Sequence, residues 1–160
     1  MWFAKCIYTK IKLDDVQDIR FLNIIICIKF SVQNRGNMPT KSFKKNAKWE
    51  LGLRPYFEYR DLGIVKATKG KVLAHVLRAK SPCTGSSGYH SHDLEFQMNY
   101  VLNGWVRVEF EDEGELIFKE GDSWYQPPNI RHEVIEYSED FETIEITMPA
   151  KFPTKDEKRN

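Results

Sequence analysis

From Trp49 onward the chain is written in short runs of β-branched and aromatic residues separated by turn formers, and no run keeps the 3.6-residue period of an amphipathic helix. The pattern predicts strands at Tyr56–Tyr59, Ile64–Thr68, Val72–Ala79, Phe96–Leu102, Trp105–Glu111, Glu115–Phe118, Asp122–Gln126, Glu133–Tyr137 and Phe141–Met148. Alternation is cleanest in the fifth of these. Val106, Val108 and Phe110 share one face and Arg107, Glu109 and Glu111 the other, as in a half-buried antiparallel strand. Asn103-Gly104 between two apolar runs predicts a type I′ hairpin, which needs positive φ at both central residues. Thr68-Lys-Gly70-Lys and Asp112-Glu-Gly114-Glu predict two further hairpins. So many short strands at close spacing predict an all-β sandwich or barrel.

The texture before Trp49 is different. Residues 1–37 are rich in Ile, Lys and Asn, carry no clean period and end in Gln33-Asn-Arg-Gly-Asn37, after which Met38 opens a polar stretch. Residues 1–48 are therefore expected to be an extension outside the core, with Met38 a candidate start, residues 49–150 the domain, and residues 151–160 a charged tail that frays. The apolar run Phe21–Phe30 falls short of the roughly 20 residues that span a bilayer. Asp14, Asp15 and Asp18 stand where a secretory leader would be basic.

Charge narrows the partners. The whole chain has a net charge of +1, but residues 1–48 hold ten Lys/Arg against three Asp/Glu, which leaves residues 49–160 at −6. An acidic domain without a basic stripe is a poor match for phosphate backbones, so no nucleic acid and no membrane is expected as partner. Cys6, Cys27 and Cys83 are odd in number and form no pair motif, which suits free thiols in a reducing, cytoplasmic setting.

The chemistry is concentrated in Gly85-Ser-Ser-Gly-Tyr-His90-Ser-His92-Asp-Leu-Glu-Phe-Gln97 and in Gly121-Asp-Ser-Trp-Tyr-Gln-Pro127-Pro128-Asn-Ile-Arg-His132. Residues two apart on a strand point to one face, so the imidazoles of His90 and His92 can converge on one point. That is metal-ligand spacing, and imidazole suits several divalent metals.

These two stretches resemble the motifs of the cupin superfamily. The first reads His90-Ser-His92, four residues, Gln97, six residues, Gly104; the second reads Gly121, five residues, Pro127-Pro128-Asn129, two residues, His132, three residues, Glu136. Gln97 stands where the family has Glu, Asn129 where it has Gly and Glu136 where it has Asn, and Gly85 is one residue nearer the His pair than usual. Asn tolerates positive φ and is an intelligible replacement at 129. The resemblance spans roughly residues 50 to 150. It implies a single-domain jelly-roll β-barrel holding one divalent metal ion (Fe, Mn, Ni or Zn) on His90, His92, Gln97 and His132, and a homodimer.

Four neutral ligands leave the cation its full charge, which favours Lewis-acid chemistry of the isomerase or lyase type. The expected substrate is a small polar or carbohydrate-like metabolite. A pectin-degradation cupin that linearises unsaturated uronates is similar in its His, His, Gln, His set, with its Gln one residue closer. A metal-dependent dioxygenase and a non-catalytic ligand-binding sensor are the alternatives. His75 and Asn99 are candidate catalytic residues, His75 as general base and Asn99 as a substrate-orienting group on the face of Gln97 and Val101. Tyr89, Trp124 and Gln126 are candidate pocket walls, Arg78 faces away from His75, and Glu95 is expected to be solvated.

Overall fold

The computed structural model describes residues 39–52, 54–83 and 85–158; the extension at residues 1–37 lies outside them. All pairings are antiparallel. Strands β1 (Glu50–Leu51), β2 (Phe57–Asp61), β3 (Leu73–Ala79), β5 (Phe96–Asn103), β8 (Ser123–Tyr125) and β10 (Glu142–Met148) form one sheet in the order β1-β2-β3-β10-β5-β8. Strands β4 (His90–His92), β6 (Trp105–Phe110), β7 (Gly114–Lys119), β9 (His132–Tyr137) and β11 (Thr154–Asp156) form the other, in the order β11-β4-β9-β6-β7. The fold is all-β, as the pattern predicts, with jelly-roll order. Among the described residues the two ladders do not join into one hydrogen-bonded ring.

The inward faces of both sheets share one core of Phe57, Leu77, Val101, Val106, Val108, Phe110, Tyr137 and Phe141. The Val106/Val108/Phe110 face is buried as its alternation implies, and outward Arg107 bonds Glu115 at 3.1 Å and Glu136 at 2.8 Å. Val101, Val106 and Val108 are essentially sealed from water. Each contributes about 1.5–3 kcal/mol of burial.

Four expectations fail. Ile64–Thr68 is not a strand: Ile64–Ala67 forms a single helical turn, α1. Gly63 enters it at φ 78°, donating to Asp61 Oδ1 at 2.6 Å, and the Thr68 hydroxyl bonds Ile64 O at 2.8 Å. Local capping overrules the β-branched preference of Ile64 and Val65. Thr68–Lys71 accordingly closes α1 and does not join two strands.

Nor is Asn103-Gly104 a hairpin. Strand β5 ends in one sheet and β6 begins in the other, and only Gly104 of the pair takes positive φ, 67°. A Cβ at Gly104 would run into Ser138 and Asp140, so the glycine permits a close crossing between sheets. The Asp112–Gly114 turn does join β6 to β7, with φ of 68° and 80° at its two ends.

The charged tail does not fray, because Thr154, Lys155 and Asp156 pair with His92, Ser91 and His90. Ser42, in the stretch expected to precede the domain, accepts from Arg60 of β2 at 3.1 Å.

On β10, Thr143 and Thr147 are buried on the face of Glu145, whereas Met148 of the opposite face is exposed. The outer face of this sheet also exposes Tyr100, Leu102 and Tyr125. No described helix is long and apolar enough to cross a membrane.

Candidate metal centre

Strand β4 carries His90 and His92, and β9 opens with His132 directly across from His90. The three rings pack with centroids 5.0 Å (His90–His92), 4.3 Å (His90–His132) and 5.1 Å (His92–His132) apart. One nitrogen from each lies within 4.8 Å of the others. Each Nδ1 is held from behind: by Gly88 O at 2.7 Å for His90, Thr154 Oγ1 at 3.0 Å for His92 and Ile130 O at 3.0 Å for His132. A backbone carbonyl only accepts, so His90 and His132 carry their proton on Nδ1 and present Nε2 as a lone pair. Anchoring the far nitrogen is how proteins orient metal-binding imidazoles.

Burial, above all other causes, lowers the pKa of all three, His92 to about 4 and His132 to about 3, with the charge of His90 adding to both. They are neutral near pH 7, as metal ligation requires. Unfolded histidines titrate near 6.5. The unfolded chain therefore takes up protons first, and stability that is complete above about pH 6.5 is lost progressively as the pH falls toward the folded values. Metal-free protein is expected to hold a constant melting temperature above neutrality and to lose on the order of 10 °C by about pH 4. In His132→Gln, which lacks the most shifted group, this acid slope becomes shallower. An unchanged slope by differential scanning calorimetry would show that His132 is not held neutral in the fold.

Gln97, Asn99 and Val101 face inward together, as their shared parity implies. Gln97 donates its amide to Glu145 Oε1 at 2.7 Å. An ionised carboxylate only accepts, so this bond sets the Gln97 amide with its carbonyl oxygen turned away from Glu145. That oxygen accepts from Gln126 Nε2 at 2.9 Å, and the same nitrogen lies 3.0 Å from His132 Nε2. For both atoms to ligate one cation, the Gln126 amide must swing aside. Three imidazoles and an amide oxygen suit a borderline divalent metal.

Glu145 is the site residue that sequence reasoning missed. Its other oxygen lies 2.5 Å from His75 Nε2. Burial pushes its carboxyl up, but the hydrogen bond and charge of His75, together with the Gln97 amide, outweigh this and hold it below the usual range. Glu145 thus stays ionised in the wall of the cavity. His75, Glu145, Asn99 and Trp124 are register neighbours in one row across the six-stranded sheet.

These groups line a cavity of about 670 Å³ between the sheets. Trp124 and Gln126 form part of its wall, as expected, but Tyr89 does not: it borders a separate outer depression beside Glu133 and Glu157. Glu95 is exposed, and Arg78 points outward to Glu58 at 2.7 Å.

Residues 81–147 match the Cupin domain family. No curated protein matches the sequence. Among solved structures, the chain is similar to the polyketide cyclase RemF from Streptomyces resistomycificus, at 16% identity over 77% of this chain and 88% of that one, with a TM-score of 0.63. It is similar to KdgF from Halomonas sp. at 19% identity over 69% and 95% of the two chains, TM-score 0.57. It also matches an oxalate decarboxylase from Bacillus subtilis at 19% identity over 76% of this chain and 34% of that one, TM-score 0.51. Likeness at such identities is likeness of fold.

Proposed function

From the match of residues 81–147 to the Cupin domain family, we propose that the chain is a metal-dependent enzyme whose metal is held by His90, His92, His132 and Gln97. The reaction is proton transfer or elimination beside a carbonyl, of the isomerase or lyase type. The observation that carries this reading is the convergence of three neutral, rear-anchored imidazoles on a cavity that also holds a carboxylate–imidazole pair. Bound there, a divalent cation supplies Lewis acidity, polarising a carbonyl or acidifying a water.

The remaining work falls to residues of the chain. His75 Nε2 lies 2.5 Å from Glu145 Oε2 and both side chains line the cavity, so the pair can relay a proton between one atom of a bound substrate and its neighbour. Glu145 also orients Gln97, which couples the proton-transfer pair to the ligand set. Asn99 lies beside Glu145 in the same row and orients the substrate. RemF is described as a polyketide cyclase, and the comparison adds an instance of enzymatic chemistry on this fold.

The test is hydrogen–deuterium exchange at the carbon beside the carbonyl of 2-oxobutanoate and related enolisable carbonyl compounds, followed by NMR with metal-loaded protein. Exchange should stop on chelation and fall about 100-fold or more in His75→Gln, which keeps its metal. Metal-loaded protein that exchanges none of these compounds would favour a ligand-binding role, and consumption of oxygen would favour the dioxygenase alternative.

A further inference from the structure

The cavity wall carries hydrogen-bond donors that the fold itself does not use. Arg54 lines it, and its charge acts on both His90 and His92. Among the described residues no carboxylate forms an ion pair with Arg54. Among the described residues, the indole N–H of Trp124 and the hydroxyl of Tyr56, both in the same wall, are buried without a hydrogen-bond partner. A buried donor left unpaired is costly, so donors of this kind in a cavity lining point to acceptors on a ligand.

Charge points the same way. The wall's one carboxylate, Glu145, is already engaged by His75 and Gln97, whereas Arg54 and Lys151 remain as cations. A divalent metal on neutral ligands makes the excess more positive still. Away from the histidines and their polar neighbours, Phe57, Leu77, Val106, Val108 and Phe141 give the wall an apolar part.

We propose that the cavity binds a carboxylate carried on an apolar, ring-sized body, with the Arg54 guanidinium as its anion subsite. The guanidinium presents paired N–H donors matched to the two oxygens of a carboxylate. The apolar wall takes the body, and the volume of about 670 Å³ accommodates a ring system with substituents. This deepens the reading of the cavity as a substrate site by naming the substrate class, and it does not require the metal for its test.

The experiment is isothermal titration of the full-length chain with benzoate, benzamide and acetate, as purified and after chelation. Benzoate should bind saturably, about tenfold or more tighter than its neutral isostere benzamide and tighter than acetate, which lacks the ring. Arg54→Gln should bring benzoate down to the level of benzamide while leaving benzamide unchanged, which reports an intact cavity. Arg54→Glu should reverse the preference toward benzylammonium. Equal binding of benzoate and benzamide by the native chain, undiminished benzoate binding by Arg54→Gln, or no benzoate binding at all would overturn the anion subsite; acetate binding as tightly as benzoate would overturn the apolar body. Native protein that binds no added divalent metal yet keeps the Arg54-dependent preference would remove the metal reading and leave this one standing.

Discussion

Replacing His92 by alanine is expected to weaken divalent-metal binding by more than about 100-fold, since even losing a group that only holds a ligand in place costs 10- to 100-fold. His92 is the cleanest of the three histidines to remove. His90 and His132 are buried at 6% and 4% exposure, whereas His92 is only partly buried and its Nδ1 contacts a threonine hydroxyl of the terminal strand. Alanine there leaves the inter-sheet core untouched. Metal at about 100 times its dissociation constant stabilises the native protein by about 2.7 kcal/mol. For a domain of this size that is a rise in melting temperature on the order of 10 °C. The variant should show no such rise, while its metal-free melting temperature stays within a few degrees of the native value. A variant that keeps native metal affinity would mean that the imidazoles pack against one another for structure alone.

The second large effect is at Gln97, where the cupin pattern has glutamate. Gln97→Glu places a second carboxylate against Glu145, because the Gln97 amide nitrogen now sits 2.7 Å from Glu145 Oε1. Two carboxylates at that separation cannot both ionise without large cost, so the metal-free variant must hold a proton between them or separate them. Its stability at neutral pH is expected to fall by on the order of 3 kcal/mol. The sign of the pH dependence follows: the shared proton raises a folded pKa above its unfolded value, so the loss is recovered as the pH is lowered through the carboxylate range. Metal should restore stability at neutral pH, since a cation offsets the added charge, and should bind at least as tightly as in the native chain.

With the charge in direct contact, the Lewis acidity of the site should drop, and with it the carbonyl-proton exchange. The double variant Gln97→Glu with Glu145→Gln puts one carboxylate and one amide back in contact and should recover metal-free stability. Calorimetry on the four proteins separates these effects. A Gln97→Glu variant with native stability and no pH dependence would show that Gln97 and Glu145 do not meet in solution.

This pairing also gives Gln97 a physical reason. The carboxylate usual at position 97 in the family stands one strand over, on β10, where it touches Gln97 and His75. The sequence alone determined that His90 and His92 share a face, that Gln97, Asn99 and Val101 face inward together, and that Val106, Val108 and Phe110 are core, because each depends on the local two-residue period of a strand. Asn129 is likewise legible from its own backbone preference and takes φ of 61°.

The same period tells two faces apart without saying which is inside. On β10 the fold turns Thr143, Glu145 and Thr147 inward and leaves Ile144 and Ile146 on the opposite face. The cavity around the histidines is polar at that point and the outer face of the sheet exposes apolar side chains, so a two-residue period could not place Glu145 inside. Its partner His75 is 70 residues away, and Thr154, which anchors His92, is 62 away. Taken locally, the short charged tail has no reason to order. It orders because β4 offers it an edge to pair with. Similarly, the bases of Asn103-Gly104 as a hairpin are all local, but the chain crosses there between sheets because β10 and β7 supply the neighbours of β5 and β6. Pairing partners, inward faces and contacts between the two sheets are long-range choices settled by packing, and only the tertiary structure decided them.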